Sequence, residues 1–248
     1  MTVPGTFDTS ARELIHAGLQ NLDAARSLFR QLSASGFDAA RCGLLLDALQ
    51  HVCDPDVALR NLVDIVNAQV SQGRALDDIM PDDTAFRQLV AVLGVSDAMG
   101  KLMRFRPDLV QAAATDRCNS HLYNHDQRRA HVLESVGADP NDRMSPTATM
   151  DLADAATALR RTYRNQLAAI IAQDTMSDDP IALQPRISSE LSDLADAALE
   201  GALAIARHEI AGSEHCRFAI IGMGKLGARE LNYVSDVDLI YVVKAADA

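Results

Sequence analysis

From Ser10 to Gly212 the apolar positions fall at the spacing of amphipathic helices. Leu14, Ile15, Leu19 and Leu22 keep that period, as do Leu45, Leu46, Leu49 and Val52; residues three and four apart share one helix face. Asp54-Pro55 opens a further helix, since Pro is tolerated in a first turn, with Leu59, Leu62, Val63 and Val66 on its apolar side and Gly73 at its end. Asp83 precedes a helix carrying Phe86, Leu89, Val90 and Leu93; Gly94 is its expected stop and Ser96 caps a short successor. Residues 115–127 are polar and read as a loop, and Asp139-Pro140-Asn141-Asp142 is a turn cluster. Long helices are expected over 149–173 and, after the break at Ser177-Asp178-Asp179-Pro180, over 188–209 with Leu191, Leu194, Ala195, Ala198 and Leu199 as its stripe.

The pattern changes after Gly212. Arg217-Phe218-Ala219-Ile220-Ile221 is β-prone, a Gly-rich turn follows, and Asp236 to Val243 reads as a second strand. Two strands alone do not make a stable sheet, so the sheet is expected to be completed by further chain. The organisation predicted is a helical region over 1–212 leading into a truncated α/β domain that begins at 213–248.

Composition narrows the function. The 248 residues suffice for one large or two modest domains. A formal charge of −11, with no basic stripe, argues against a nucleic-acid partner. Cys42, Cys53, Cys118 and Cys216 share no metal-ligand spacing and read as reduced thiols. The N-terminus is not built like a secretory signal, and no run reaches the ~18 apolar residues of a membrane span. A cytoplasmic protein without membrane contact is expected. Arg128-Arg129 and the Arg160, Arg161, Arg164 side read as solvated, ion-paired helix faces. His121, His125 and His131, near Cys118 and Asp126, read as a solvated patch rather than a metal site.

The chemistry concentrates in the last thirty residues. On a strand Asp236 and Asp238 would project to one side with Cα atoms about 6.5 Å apart. Paired carboxylates repel unless a cation joins them, and their hard oxygens suit Mg²⁺ completed by phosphate and water. Such a site supports displacement at phosphorus. Gly222, Gly224 and Gly227 let the backbone approach a phosphate, Ser235 can donate to one, and Lys225 supplies a positive charge. Gly222-x-Gly224-x-x-Gly227 also matches a dinucleotide fingerprint. Only Ala228 to Ser235 lie before the next strand, too few for that fold's helix, and its single acid belongs at the strand's end. A P-loop would need Lys-Ser or Lys-Thr after the glycines. Solvent-facing strand residues remain the bland alternative for the two aspartates.

The run from Gly222-Met223-Gly224-Lys225-Leu226-Gly227 through Leu231-Asn232-Tyr233-Val234-Ser235-Asp236-Val237-Asp238-Leu239-Ile240-Tyr241 closely resembles the signature of glutamine synthetase adenylyltransferases, within the polymerase-beta-like nucleotidyltransferase superfamily. The family usually has a second Gly at Ala228. Leu93 to Leu109 and Leu191 to Asp196 resemble its preceding helices more loosely. The resemblance implies an enzyme with two nucleotidyltransferase domains that controls glutamine synthetase in nitrogen metabolism. Its N-terminal half would remove AMP from a tyrosine by Mg²⁺-dependent phosphorolysis, giving ADP; its C-terminal half would add AMP from ATP. This chain resembles the adenylyl-removing half.

Residue by residue, the resemblance makes Asp236 and Asp238 the catalytic metal ligands, and Gly222, Gly224 and Ser235 the phosphate cradle. The third carboxylate would lie on a later strand, so the fragment is expected to be inactive alone. It implies glutamine synthetase as protein substrate, ATP, ADP and phosphate as ligands, and a PII-type signal protein as a further partner. The alternatives are a non-catalytic docking module for those proteins, or a small-molecule nucleotidyltransferase, which would normally carry its motif near the N-terminus.

Overall fold

The computed structural model describes residues 9–114 and 123–245. It is mainly helical, with one small two-stranded sheet. The chain divides into two compact units: residues 1–120 with 171–178, and residues 121–170 with 179–248.

The first unit contains α1 (Ala11–His16), α2 (Leu22–Ala34), α3 (Ala39–Leu49), α4 (Pro55–Ser71), α5 (Asp83–Val95), α6 (Asp97–Met103) and α7 (Pro107–Ala114). Side-chain oxygens of Asn21, Asp38, Asp54, Asp82 and Ser96 each accept a backbone N–H of the first turn they precede, satisfying a donor that has no partner within the helix. The core lies where α4 packs on α5 and α5 on α7, around Phe29, Leu45, Leu59, Leu62, Ile65, Phe86 and Leu89. Gly94 does not stop α5. It is buried one residue before the end, and a β-carbon there would stand 3.0 Å from Cβ of Val52. Close packing requires this glycine, and α5 ends because Ser96 turns extended to cap α6.

The second unit contains α8 (His125–Ser135), α9 (Leu152–Thr175, except for its last residues), α10 (Pro180–Glu209), β1 (Cys216–Gly222), the single turn α11 (Gly224–Gly227) and β2 (Leu239–Ala245). His125 and Gln127 are helical rather than loop, because Asn124 and Gln127 form a reciprocal capping box. The helix α10 begins eight residues earlier than expected. Asp179 caps it, Pro180 takes its first position, and Pro185 lies inside, where it forgoes the bond an N–H would make to the Ile181 carbonyl.

Arg128 and Arg129 are not a solvated face. Arg128 is 1% exposed, donates to Gln166 at 2.9 Å and pairs with Glu190 of α10. Arg129 forks onto both carboxylate oxygens of Glu200 at 2.7 and 2.8 Å and also donates to the carbonyls of Pro140 and Asp142. These contacts fasten α8 and the following turn to α10. Arg160 and Arg161 are exposed and Arg164 half-buried on α9. Cys42 is buried, while Cys53 and Cys216 are exposed; all three are free thiols. Cys118 and His121 lie outside the described residues. No helix among the described residues is long and apolar enough to cross a membrane.

Candidate functional site

The strands β1 and β2 are antiparallel, in a register that pairs Cys216 with Ala245 and Gly222 with Leu239. Phe218 and Tyr241 stack diagonally across it, ring centroids 5.7 Å apart. Pairing therefore begins at Leu239, and Asp236 and Asp238 precede the strand instead of lying on it. Asp disfavours strands, and residues 228–238 form the connecting loop. The strand alternation that would align the two carboxylates thus does not set their directions. The backbone holds Asp238 instead: its carbonyl accepts the Met223 N–H at 2.9 Å, one step beyond the Gly222–Leu239 pair.

That bond brings Asp238 over the Gly turn. Its Oδ2 lies 3.6 Å from where a β-carbon on Gly224 would stand, and Gly224 has φ +53°. The other two glycines build the turn itself. A β-carbon on Gly222 would meet Leu226 at 2.8 Å, and one on Gly227 would meet the Gly222 carbonyl oxygen at 2.6 Å. Asp236, Asp238 and Lys225 are exposed, and no hydrogen bond or ion pair engages their side chains among the described residues. The Ser235 hydroxyl donates to the side-chain oxygen of Asn232.

Helix α10 fixes the turn from behind. Leu226 and Leu231 join Ile170, Ile187, Leu191 and Leu194 in one apolar cluster. The Ser192 hydroxyl accepts the Leu231 N–H at 3.3 Å. Arg229, at φ +60°, donates to Ser189 at 2.8 Å and lies 2.7 Å from Oδ1 of Asp193. The loop carrying Asp236 and Asp238 is therefore tied at Arg229 and Leu231 to α10 and at Asp238 to the Gly turn.

Behind the turn is a cavity of about 590 Å³ whose lining includes His125, Asp196, Arg207, Phe218, Gly222 and Arg229. Burial raises the affinity of Asp196 for a proton, and the neighbouring Asp193 adds to it, while His125 and Arg229 oppose. The sequence marks this place only faintly: Asp193-x-x-Asp196 puts two acids into the stripe carrying Leu191, Leu194 and Ala197. Acids on a buried helix face are unusual.

The glycine turn, with Asp238 held against it, belongs to a hairpin docked to the long helix α10. The family model for glutamate–ammonia ligase adenylyltransferase matches residues 86–248, and the chain belongs to that family. It is 68% identical over 241 residues to the bifunctional glutamine synthetase adenylyltransferase/adenylyl-removing enzyme of Bifidobacterium longum strain DJO10A, covering 97% of this chain and 22% of that one. Proteins of the same name from Leifsonia xyli and Cutibacterium acnes are 36% and 32% identical, over 94% and 95% of this chain and 23% of each relative. The chain thus spans less than a quarter of the length of these curated relatives.

Proposed function

We propose that this chain carries the adenylyl-removing site of an enzyme that regulates glutamine synthetase by reversible adenylylation. The observation that carries the reading is Asp238 held against Gly224 inside the family match. In this reading residues 213–248 begin a polymerase-beta-like nucleotidyltransferase domain, and the helical region before it leads into that domain and docks the protein partners, glutamine synthetase and a PII-type signal protein.

The donor set fits Mg²⁺: two exposed carboxylates with hard oxygens and, among the described residues, no competing protein cation on either. Asp236 and Asp238 would hold it, and bound Mg²⁺ supplies charge neutralisation for the phosphoryl oxygens. Gly224 leaves room for a phosphate beside Asp238. Gly222 and Gly227 act through the shape of the turn. Lys225 supplies a positive charge with no ion pair among the described residues, and Ser235 donates once it turns from Asn232. In the reaction an oxygen of inorganic phosphate attacks the AMP phosphorus in line. The bond from phosphorus to the tyrosine oxygen breaks, the phenolate takes a proton, and ADP leaves. A third carboxylate would come from chain beyond these residues, as would the opposite activity, transfer of AMP from ATP.

The test uses the full-length natural protein with Asp236→Asn and Asp238→Asn forms beside it. Each receives adenylylated glutamine synthetase, phosphate and Mg²⁺, and ADP is followed. Wild type should release ADP and both variants should fall to background. Equal release from all three would move the chemistry to another site.

A further inference from the structure

His125, Asp193 and Asp196 each offer a ligand atom, and these atoms all lie within 4.8 Å of one another. They come from two helices already fastened together. His125 opens α8, and the two aspartates sit one turn apart on α10, the spacing that puts both on one face. We propose that these three side chains form a binding site for a divalent transition-metal ion of the zinc type, separate from the Asp236–Asp238 site.

Three observations carry it. Asp193 is a side chain nine-tenths buried whose Oδ1 is ion-paired with the half-exposed Arg229 but accepts no hydrogen bond among the described residues. Arg229 Nη2 is 2.7 Å away, but its hydrogen bond goes to the Ser189 hydroxyl. Asp196, half-buried in the cavity wall, has no hydrogen bond or ion pair among the described residues. Two adjacent carboxylates with one half-exposed arginine between them carry a net charge of −1, and such a pair needs a further cation or a proton. The third donor decides which cation. An imidazole beside carboxylates suits zinc better than Mg²⁺ or Ca²⁺, which prefer oxygen alone.

The geometry needs little adjustment. Tetrahedral zinc ligands at ~2.0–2.1 Å from the ion stand about 3.3 Å from one another. His125 is exposed, and its contact with Asp126, Nδ1 to Oδ1 at 3.9 Å, is long. Arg229 lies on Oδ1 of Asp193 and leaves Oδ2 for the ion. The fourth position faces the cavity that His125 and Asp196 help to line, where water can fill it. A metal there would pin α8 to α10 on the side from which α10 holds the Gly turn.

The probe is Zn²⁺ alone, titrated by calorimetry and equilibrium dialysis in excess Mg²⁺ so that the Asp236–Asp238 site is out of competition. Wild type and an Asp236→Asn/Asp238→Asn double variant should each bind one equivalent more than His125→Gln or Asp196→Asn. Loss of an outer partner of a metal ligand weakens metal binding about 10–100-fold, so loss of a ligand should cost at least about tenfold. Far-UV circular dichroism identifies a variant that fails to fold, and His125→Gln alters only an exposed side chain. Equal binding by wild type and His125→Gln, no binding by wild type, or loss of that equivalent in the Asp236→Asn/Asp238→Asn variant would each overturn the site. None of these outcomes depends on the adenylyl-removing reading.

Discussion

Asp238 and Gly224 face each other across the mouth of the hairpin, with Asp238 Oδ2 3.6 Å from the place a Gly224 β-carbon would take. The contact is possible because Met223 extends the strand pairing by one bond to the Asp238 carbonyl. It couples the conformation of a glycine turn to the position of a carboxylate fourteen residues on. All four tyrosines, 123, 163, 233 and 241, belong to the second unit and Trp is absent, so tyrosine fluorescence reads the unfolding of that unit by itself.

The three glycines should therefore rank by what a methyl group would meet. Gly224→Ala faces a left-handed backbone, worth about 1–2 kcal/mol, but otherwise only an ordinary contact with Asp238 Oδ2 at 3.6 Å. Gly222→Ala pushes on the Leu226 side chain, which is packed in the apolar cluster against α10 and gives way only in part. Gly227→Ala pushes on a backbone oxygen, which cannot move without opening the turn. Urea unfolding should show Gly227→Ala the most damaging of the three; a Gly227→Ala protein as stable as wild type would contradict the turn geometry.

Arg229 should show two opposed effects. Removing its side chain leaves Asp193 with a buried, unpaired carboxylate, a loss of about 1–3 kcal/mol. Its φ of +60° is strained for any residue but glycine. Arg229→Gly is expected to be more stable than Arg229→Ala by about 1 kcal/mol, the reverse of the usual order at unstrained positions. Tyrosine-detected urea midpoints measure the difference.

Arg128 tests the α8–α10 connection. Arg128→Ala should destabilise the second unit by about 3–5 kcal/mol, because Glu190 is left charged and buried. Arg128→Lys should not restore it, since one ammonium cannot span Gln166 and Glu190 as the guanidinium fork does. An Arg128→Met/Glu190→Leu double variant should regain most of the loss: it removes both charges together, and the Nε of Arg128 has no partner to lose. A double variant as unstable as Arg128→Ala would argue that specific hydrogen bonds hold the helices.

Burial pushes the Cys42 thiol up to about 11. Below that pH it stays protonated, and the thiolate is the reactive form. Iodoacetamide at pH 8 should label the exposed Cys53 and Cys216 in the folded protein and reach Cys42 only after unfolding. Peptide mass mapping checks this directly, and fast labelling of Cys42 in the native chain would contradict the packing of α3.

The sequence by itself determined what depends on neighbours a few residues away. Asp54 and Ser96 mark helix starts because a cap acts within three residues, and the glycine turn between two β-prone runs states the hairpin in its own order. The family followed from the same contiguous run. Only the tertiary structure decided what depends on partners far along the chain. Arg128-Arg129 reads alike on a wet or a buried face, and Glu190 and Glu200, more than sixty residues on, bury it. Gly94 looks like a stop until Val52 is placed against it. Asp236 and Asp238 fit a strand by alternation, but the pairing with β1 ends at Leu239 and leaves them in the loop. His125 meets Asp193 and Asp196 only because α8 lies along α10. Local hydrogen bonding is written residue by residue, whereas burial and charge pairing are settled when separate helices pack.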